Sequence, residues 1–269
     1  GFDGARVDAA RYIFEDGPAK QADVDKTLIF FTDMRKNIID KYGSSGYNKM
    51  MVGEVWTSEN IIKKYYGNGT DRFNMCFDFP LANHIRNAVY AGEKSTLKVK
   101  ELSNYIVEQL KSYPDGYRNA SFLNNHDNVV SRPMSDYKSE AKSILAFALN
   151  VLLPGTPFVY YGNEVGMENG PGDGDLRFRT DMEWGRVDTS NKNRDSILSW
   201  YRYLIEARNS SPAVQRGDYK DIKTNDTKIL AFTRTYKDDT ILVVVNFKSV
   251  VSDVKLDFTD SLVKESKLV

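Results

Sequence analysis

The sequence predicts an α/β fold: a parallel sheet flanked by helices, followed by a small antiparallel β domain. Two observations predict it. Short apolar or β-branched runs alternate with helical patterns from residue 4 to about 210, the signature of strand–helix–strand crossovers. Beyond that point, runs at 228–235, 240–247 and 254–258 alternate or are β-branched, as the strands of antiparallel hairpins are. The expected domains are 1–212 and 213–269.

The elements follow in order. Gly4-Ala5-Arg6-Val7 reads as the first strand. Val24, Leu28, Phe31, Ile38 and Tyr42 keep helical spacing and predict an amphipathic helix over 24–41. Residues 50–53 form the second strand, with a short helix at 61–66 after it. Residues 73–79 offer a third strand, and helical patterns follow at 81–90 and 96–112. Residues 120–123 give a fourth strand. An apolar helix over 139–152 is stopped by Pro154-Gly155-Thr156-Pro157. Phe158-Val159-Tyr160-Tyr161 reads as the fifth strand, ended by Gly162, and 194–209 as the last helix, punctuated by Ser211-Pro212. The glycine-rich stretch 168–175 is a loop, and Lys237-Asp238-Asp239 is a turn within the β domain.

Composition excludes several functions. Lys+Arg and Asp+Glu both number 37, so the basic surplus expected of a nucleic-acid binder is missing. The longest apolar stretch, 144–153, contains Asn150 and is too short to span a bilayer. Gly1-Phe2-Asp3-Gly4 has neither the basic start nor the apolar run of a signal peptide. Cys76 is the single cysteine, which rules out an intramolecular disulfide. With only His84 and His126 besides, redox or metal catalysis has little support. Aromatic residues reach 12%; their flat apolar faces and polar edges suit sugars, although core filling accounts for most of them.

Three acids stand at the ends of three apolar runs: Asp8, Glu54 and Asp127. A carboxylate at the end of a buried strand is costly unless it is paired or used. Arg6 and Asp8 share a strand face, so the guanidinium lowers the Asp8 pKa and keeps it ionised, as a nucleophile must be. The plainer alternative is a structural ion pair. Glu54, between Val52-Gly53 and Val55-Trp56, sits in an apolar setting that raises its pKa and suits a general acid; otherwise it merely caps the next helix. Asp127 closes Asn124-Asn125-His126-Asp127, a hydrogen-bonding set suited to sugar hydroxyls, or else a capped turn. One lowered and one raised carboxyl at neighbouring strand ends meet the requirement of retaining glycoside hydrolysis, with the pair about 5–5.5 Å apart.

Gly4-Ala5-Arg6-Val7-Asp8-Ala9-Ala10-Arg11-Tyr12, Gly53-Glu54-Val55-Trp56 and Phe122-Leu123-Asn124-Asn125-His126-Asp127 resemble three ordered sequence blocks of the α-amylase family of glycoside hydrolases. Residues 155–164 resemble the strand that closes that family's barrel, and Arg179-Thr180-Asp181-Met182-Glu183-Trp184 a further signature. The resemblance implies a (β/α)8 barrel, of which about strands four to eight are present, followed by an antiparallel β-sandwich domain. It implies Asp8 as nucleophile, Glu54 as general acid/base and Asp127 as the third acid, which grips sugar hydroxyls. Arg6 would orient Asp8, His126 would touch the sugar, and Trp56 would stack on it or simply pack. The implied substrate is an α-glucan or malto-oligosaccharide, which favours an extracellular or cell-surface setting.

The sequence also departs from the family pattern. The first block ends Arg11-Tyr12 where typical α-amylases have Lys-His. That pair faces the aglycone side, which makes Arg11 and Tyr12 candidate substrate contacts. A structural calcium is implied by the resemblance, with the Tyr12 carbonyl as a ligand and most other ligands upstream of Gly1. The first three barrel strands have no counterpart, and the β domain is expected to be truncated. The missing N-terminal barrel segment is therefore an expected partner. Two other readings stand beside an amylase: an α-glucosidase, oligo-glucosidase or transglycosylase of the same family, and a non-catalytic carbohydrate-binding relative.

Overall fold

The computed structural model describes residues 2–43, 49–127, 131–250 and 253–257. Five parallel strands lie in chain order: β1 (Gly4–Val7), β2 (Met50–Gly53), β3 (Met75–Phe77), β4 (Asn119–Ser121) and β5 (Thr156–Pro157). Each is hydrogen-bonded to the next, and every connection carries helix. These are α1 (Asp25–Met34), α2 (Glu59–Tyr66), α3 (Phe79–Ala91), α4 (Thr96–Ser112), α5 (Pro133–Tyr137) and α6 (Glu140–Leu152). The first two strands match the apolar runs in extent, β3 is a shortened part of 73–79, and β4 starts one residue before the expected 120–123 and ends at Ser121. The chain order of a parallel sheet with helical crossovers is that of consecutive barrel strands.

Local chemistry sets the helix starts. Asp78 caps α3 by accepting the Leu81 amide, with Pro80 in the first turn. Ser139 and Ser196 do the same for α6 and for α8 (Ile197–Ser210), while α7 (Trp184–Asn191) and α9 (Pro212–Arg216) are short. α1 runs on into a π-helical stretch, Arg35–Asp40.

Two strand expectations are corrected. β1 was expected to be buried, yet Gly4, Ala5 and Arg6 are exposed, because β1 is an edge strand with β2 as its single partner among the described residues. Exposed Phe2, Ile38 and Tyr42 lie beside it around an apolar cleft of about 200 Å³. The fifth strand was expected at 158–161 and pairs instead at Thr156–Pro157. Phe158 still donates to Ser121 O, but Tyr160 and Tyr161 turn away to pack on Arg132.

The second sheet is antiparallel, in the order β8 (Asp239–Asn246), β7 (Ile229–Tyr236), β6 (Asp218–Thr224), β9 (Leu256–Asp257). The β7–β8 hairpin turns at the expected Lys237-Asp238, with Lys237 at φ +54°. The run expected over 254–258 contributes β9; residue 258 lies outside the described residues.

The two sheets share one core. Leu230, Phe232, Val243 and Val245 of β7 and β8 join Leu102, Phe147 and Tyr201 of α4, α6 and α8 in a single apolar cluster. Phe147 and Tyr201 stack with centroids 3.5 Å apart. Two arginines seal the seam. Arg234 of β7, almost fully buried, donates to Leu152 O (2.9 Å) and Gly217 O, and Arg208 of α8 donates to Val151 O and Gly155 O. Both thus cap the carbonyl end of α6, where the helix dipole favours positive charge. No helix among the described residues is long and apolar enough to cross a membrane.

Candidate active site

The site is built where β1 and β2 end. Arg6 pairs with Val52 and Val7 with Gly53 across the parallel ladder, so Asp8 and Glu54 emerge side by side. Gly53 keeps this end tight: a Cβ there would lie 3.0 Å from the Phe73 ring. The Glu54 amide donates to Val7 O, and its carbonyl accepts from Ala10.

Arg6 joins the two acids. Its Nη1 lies 2.5 Å from Asp8 Oδ1 and its Nη2 2.5 Å from Glu54 Oε2. Glu54 Oε2 also accepts the Ala9 amide at 3.2 Å. From sequence Glu54 has no cation beside it; the ladder register supplies one, shared with Asp8. The environments still differ. The Asp8 side chain is 74% exposed and that of Glu54 only 11%. Hydrogen bonding from the Glu54 carboxyl, then the Arg6 charge, holds Asp8 below the ordinary carboxylate range. Burial pushes Glu54 above its ordinary value despite the Ala9 amide and Arg6. The pair therefore favours one ionised acid, Asp8, and one protonated acid, Glu54.

Asp127 lies on the loop after β4, six residues beyond that strand's end rather than at it. Its Oδ1 accepts Arg179 Nη2 at 2.8 Å, its Oδ2 is 3.4 Å from His126 Nε2, and its amide donates to Asn125. Among the described residues no hydrogen bond joins Asp127 to Asp8 or Glu54, although His126 is near enough to help lower the Asp8 pKa. Below this loop, Asn124 accepts from Asn163 at 2.6 Å.

Arg179 also donates to His126 O, and so fixes both residues. Its own segment is anchored by Arg132, which is fully buried and packs against both Tyr160 and Tyr161, 4.9 and 4.8 Å from their ring centroids. Arg132 donates to Tyr161 O and Phe178 O; Tyr160 donates to the same Phe178 O and Tyr161 to Thr180 O. The sequence flags Arg179 only within a signature and gives no sign of Arg132.

The remaining candidates separate. Trp56 is half exposed and stacks on Phe79, with centroids 5.7 Å apart and an interplanar angle of 20°. Tyr12 is exposed. Arg11 turns inward, with a bidentate pair to Asp23 and a bond to Trp56 O at 2.9 Å. Among the described residues, no set of side chains suits calcium. The Arg11 guanidinium lies over the Tyr12 ring, Asp23 is engaged by that same arginine, and no metal-competent group of three His, Cys, Asp or Glu exists among the described residues.

A parallel α/β sheet with paired carboxylates at adjacent strand ends fits a barrel-type glycoside hydrolase. The α-amylase catalytic-domain family matches residues 1–185, and the maltogenic amylase C-terminal domain matches residues 219–266. The chain belongs to the α-amylase family of glycoside hydrolases. It is 32% identical over 271 residues to α-amylase 3 of Dictyoglomus thermophilum, covering 93% of this chain and 51% of that one. It is 24% identical over 310 residues to the trehalose synthase of Thermus thermophilus, covering 91% of this chain and 31% of that one. Among solved structures, the α-amylase from H. orenii superposes with a TM-score of 0.69 at 27% identity, covering 91% of this chain and 51% of that one. The chain thus spans about half or less of the length of these relatives.

Proposed function

We propose that the full-length protein hydrolyses α-1,4-glucosidic bonds of starch-like glucans with retention of configuration. The observation that carries this reading is Arg6, whose single guanidinium binds two carboxyls of opposite protonation preference. Protonated Glu54 donates to the glycosidic oxygen as ionised Asp8 attacks the anomeric carbon. The C–O bond to the leaving sugar breaks and a glycosyl–Asp8 ester forms. Glu54, now ionised, takes a proton from water, which attacks the same carbon and releases an α-configured product. Both carboxyls sit 2.5 Å from the two terminal nitrogens of one guanidinium, which supports the short separation of retaining enzymes. Asp127, aimed by Arg179, accepts from the sugar's hydroxyls, and His126 and Trp56 offer a polar and a stacking contact.

Substrate length decides between this reading and its rival. Rapid internal cleavage of amylose, with slow attack on maltose, supports an amylase. Efficient action on maltose, or transfer of glucosyl units between acceptors, supports the glucosidase or transglycosylase reading, which the trehalose synthase relative favours. No turnover on any glucan would leave a carbohydrate-binding relative.

The paired pKa shifts fix the pH dependence. Asp8 must be ionised and Glu54 protonated, so kcat/KM should be flat between the lowered Asp8 value and the raised Glu54 value. The alkaline limb reports Glu54 and the acid limb Asp8. In Glu54→Gln the alkaline limb should disappear from the residual rate; a profile unchanged in shape would contradict the assignment.

Residues 1–269 expressed alone should be inactive on starch and prone to aggregate. Among the described residues β1 offers an unpaired edge beside exposed Phe2, Ile38 and Tyr42. The cover expected for it is an N-terminal barrel segment. Size-exclusion chromatography with a starch assay checks this; a monodisperse, active 1–269 would refute it.

A further inference from the structure

We propose that Arg11 is a positioning residue that, with Asp23 and Tyr65, locks the loop bearing Asp8 to the loop bearing Glu54. The inference rests on the proposed roles of those two acids. Residues 8–24 connect β1 to α1, and within them only Ala10 and Val24 are buried. Such a loop has little apolar packing to hold it. Polar contacts hold it instead. Arg11 Nε lies 3.0 and 3.1 Å from the two Asp23 oxygens, and Nη2 lies 2.5 Å from Oδ2. The Asp23 amide returns to Arg11 O at 3.0 Å, with Asp23 in a left-handed conformation at φ +59°. A non-glycine residue stays in that region only when its surroundings enforce it.

Asp23 is anchored in turn. Tyr65 of α2, fully buried among Phe31 and Phe73, donates to Asp23 Oδ1 at 2.7 Å. Burial pushes the Asp23 carboxyl up, but its bonds to Arg11 and Tyr65 prevail and leave it below the ordinary range. The third arm of Arg11, Nη1, reaches Trp56 O, two residues beyond Glu54. Arg11 itself lies three residues beyond Asp8. One side chain therefore spans the two strand ends immediately outside the catalytic pair, where Ala10 N already meets Glu54 O. Displacing either loop by about 1 Å can cost on the order of 100-fold in rate. With Nε, Nη1 and Nη2 all directed into protein, Arg11 serves the geometry of the pair rather than the sugar.

The test uses the full-length protein and steady-state kinetics on a maltooligosaccharide. Arg11→Met and Asp23→Ala should each lower kcat about 10- to 100-fold with KM within about twofold, and the double variant should be no worse than the poorer single. Tyr65→Phe, which removes only the hydroxyl, should lower kcat severalfold in the same pattern and covers the case in which the harsher variants fail to fold. Three results would overturn the proposal: raised KM with unchanged kcat in Arg11→Met, additive losses in the double variant, or wild-type kcat in Tyr65→Phe. Asp8→Asn and Glu54→Gln run alongside separate the two levels. If both keep the wild-type rate, the catalytic reading itself fails; if both are dead while the clasp variants behave otherwise, only the clasp fails.

Discussion

Asp8→Asn should abolish glucan hydrolysis, with a loss on the order of 10⁴-fold or more, and Glu54→Gln should cost about 10²- to 10⁴-fold. The two losses differ in kind as well as size. Asp8 forms the bond to the anomeric carbon, so no substrate escapes its removal. Glu54 protonates the leaving group, so a glycosyl fluoride, whose leaving group needs no proton, should be cleaved by Glu54→Gln with a much smaller defect. Steady-state rates on maltotriose and on α-maltosyl fluoride check both. Equal losses for the two variants on both substrates would contradict the division of roles. The structural basis is the contrast between an exposed Asp8 and a largely buried Glu54 on one shared arginine.

The second large effect is on stability. Asp78, fully buried at the end of β3, accepts four hydrogen bonds: from the Leu81 amide, the Tyr105 hydroxyl, and the side-chain amides of Gln109 and Asn119. Asp78→Ala removes the acceptor and strands donors that no water reaches, each costing about 1–3 kcal/mol if unrelieved. Relaxation recovers part of this, and a net loss of about 3–5 kcal/mol is expected from denaturant unfolding of the full-length protein. The pH trend follows from the sign of the shift. Burial raises the Asp78 pKa above its ordinary 3.8. The stability it contributes is complete below that unfolded value and falls as pH rises through the higher folded value. The gap between wild type and Asp78→Ala should therefore narrow toward alkaline pH. A loss under about 1 kcal/mol would show that the network is dispensable.

Much of this was legible in the sequence, for definite reasons. The apolar runs at 4–7 and 50–53 are bounded by Gly and acid, and they fold as β1 and β2 at those residues. Asp8, Glu54 and Asp127 stood out because carboxylates are rare where strands end in apolar surroundings. What escaped depends on register and long-range contact. Arg6 reaches Glu54 only because β1 pairs with β2 residue for residue, which no local pattern encodes. The exposure of β1 depends on its being an edge. Helix α7 has no buried residue and so no apolar periodicity to betray it, and the mostly exposed β6 gave equally little signal. Arg11 and Asp23 are twelve residues apart along an exposed loop, so their ion pair was invisible until the loop closed on Tyr65.

The most direct measurement is to trap the glycosyl-enzyme. Full-length protein treated with a 5-fluoro-glycosyl fluoride, digested and sequenced by mass spectrometry, should carry one sugar, on Asp8, and Glu54→Gln should still acquire it because fluoride needs no acid to leave. An adduct on any other residue, or turnover of the reagent with Asp8→Asn still labelled, would contradict the account.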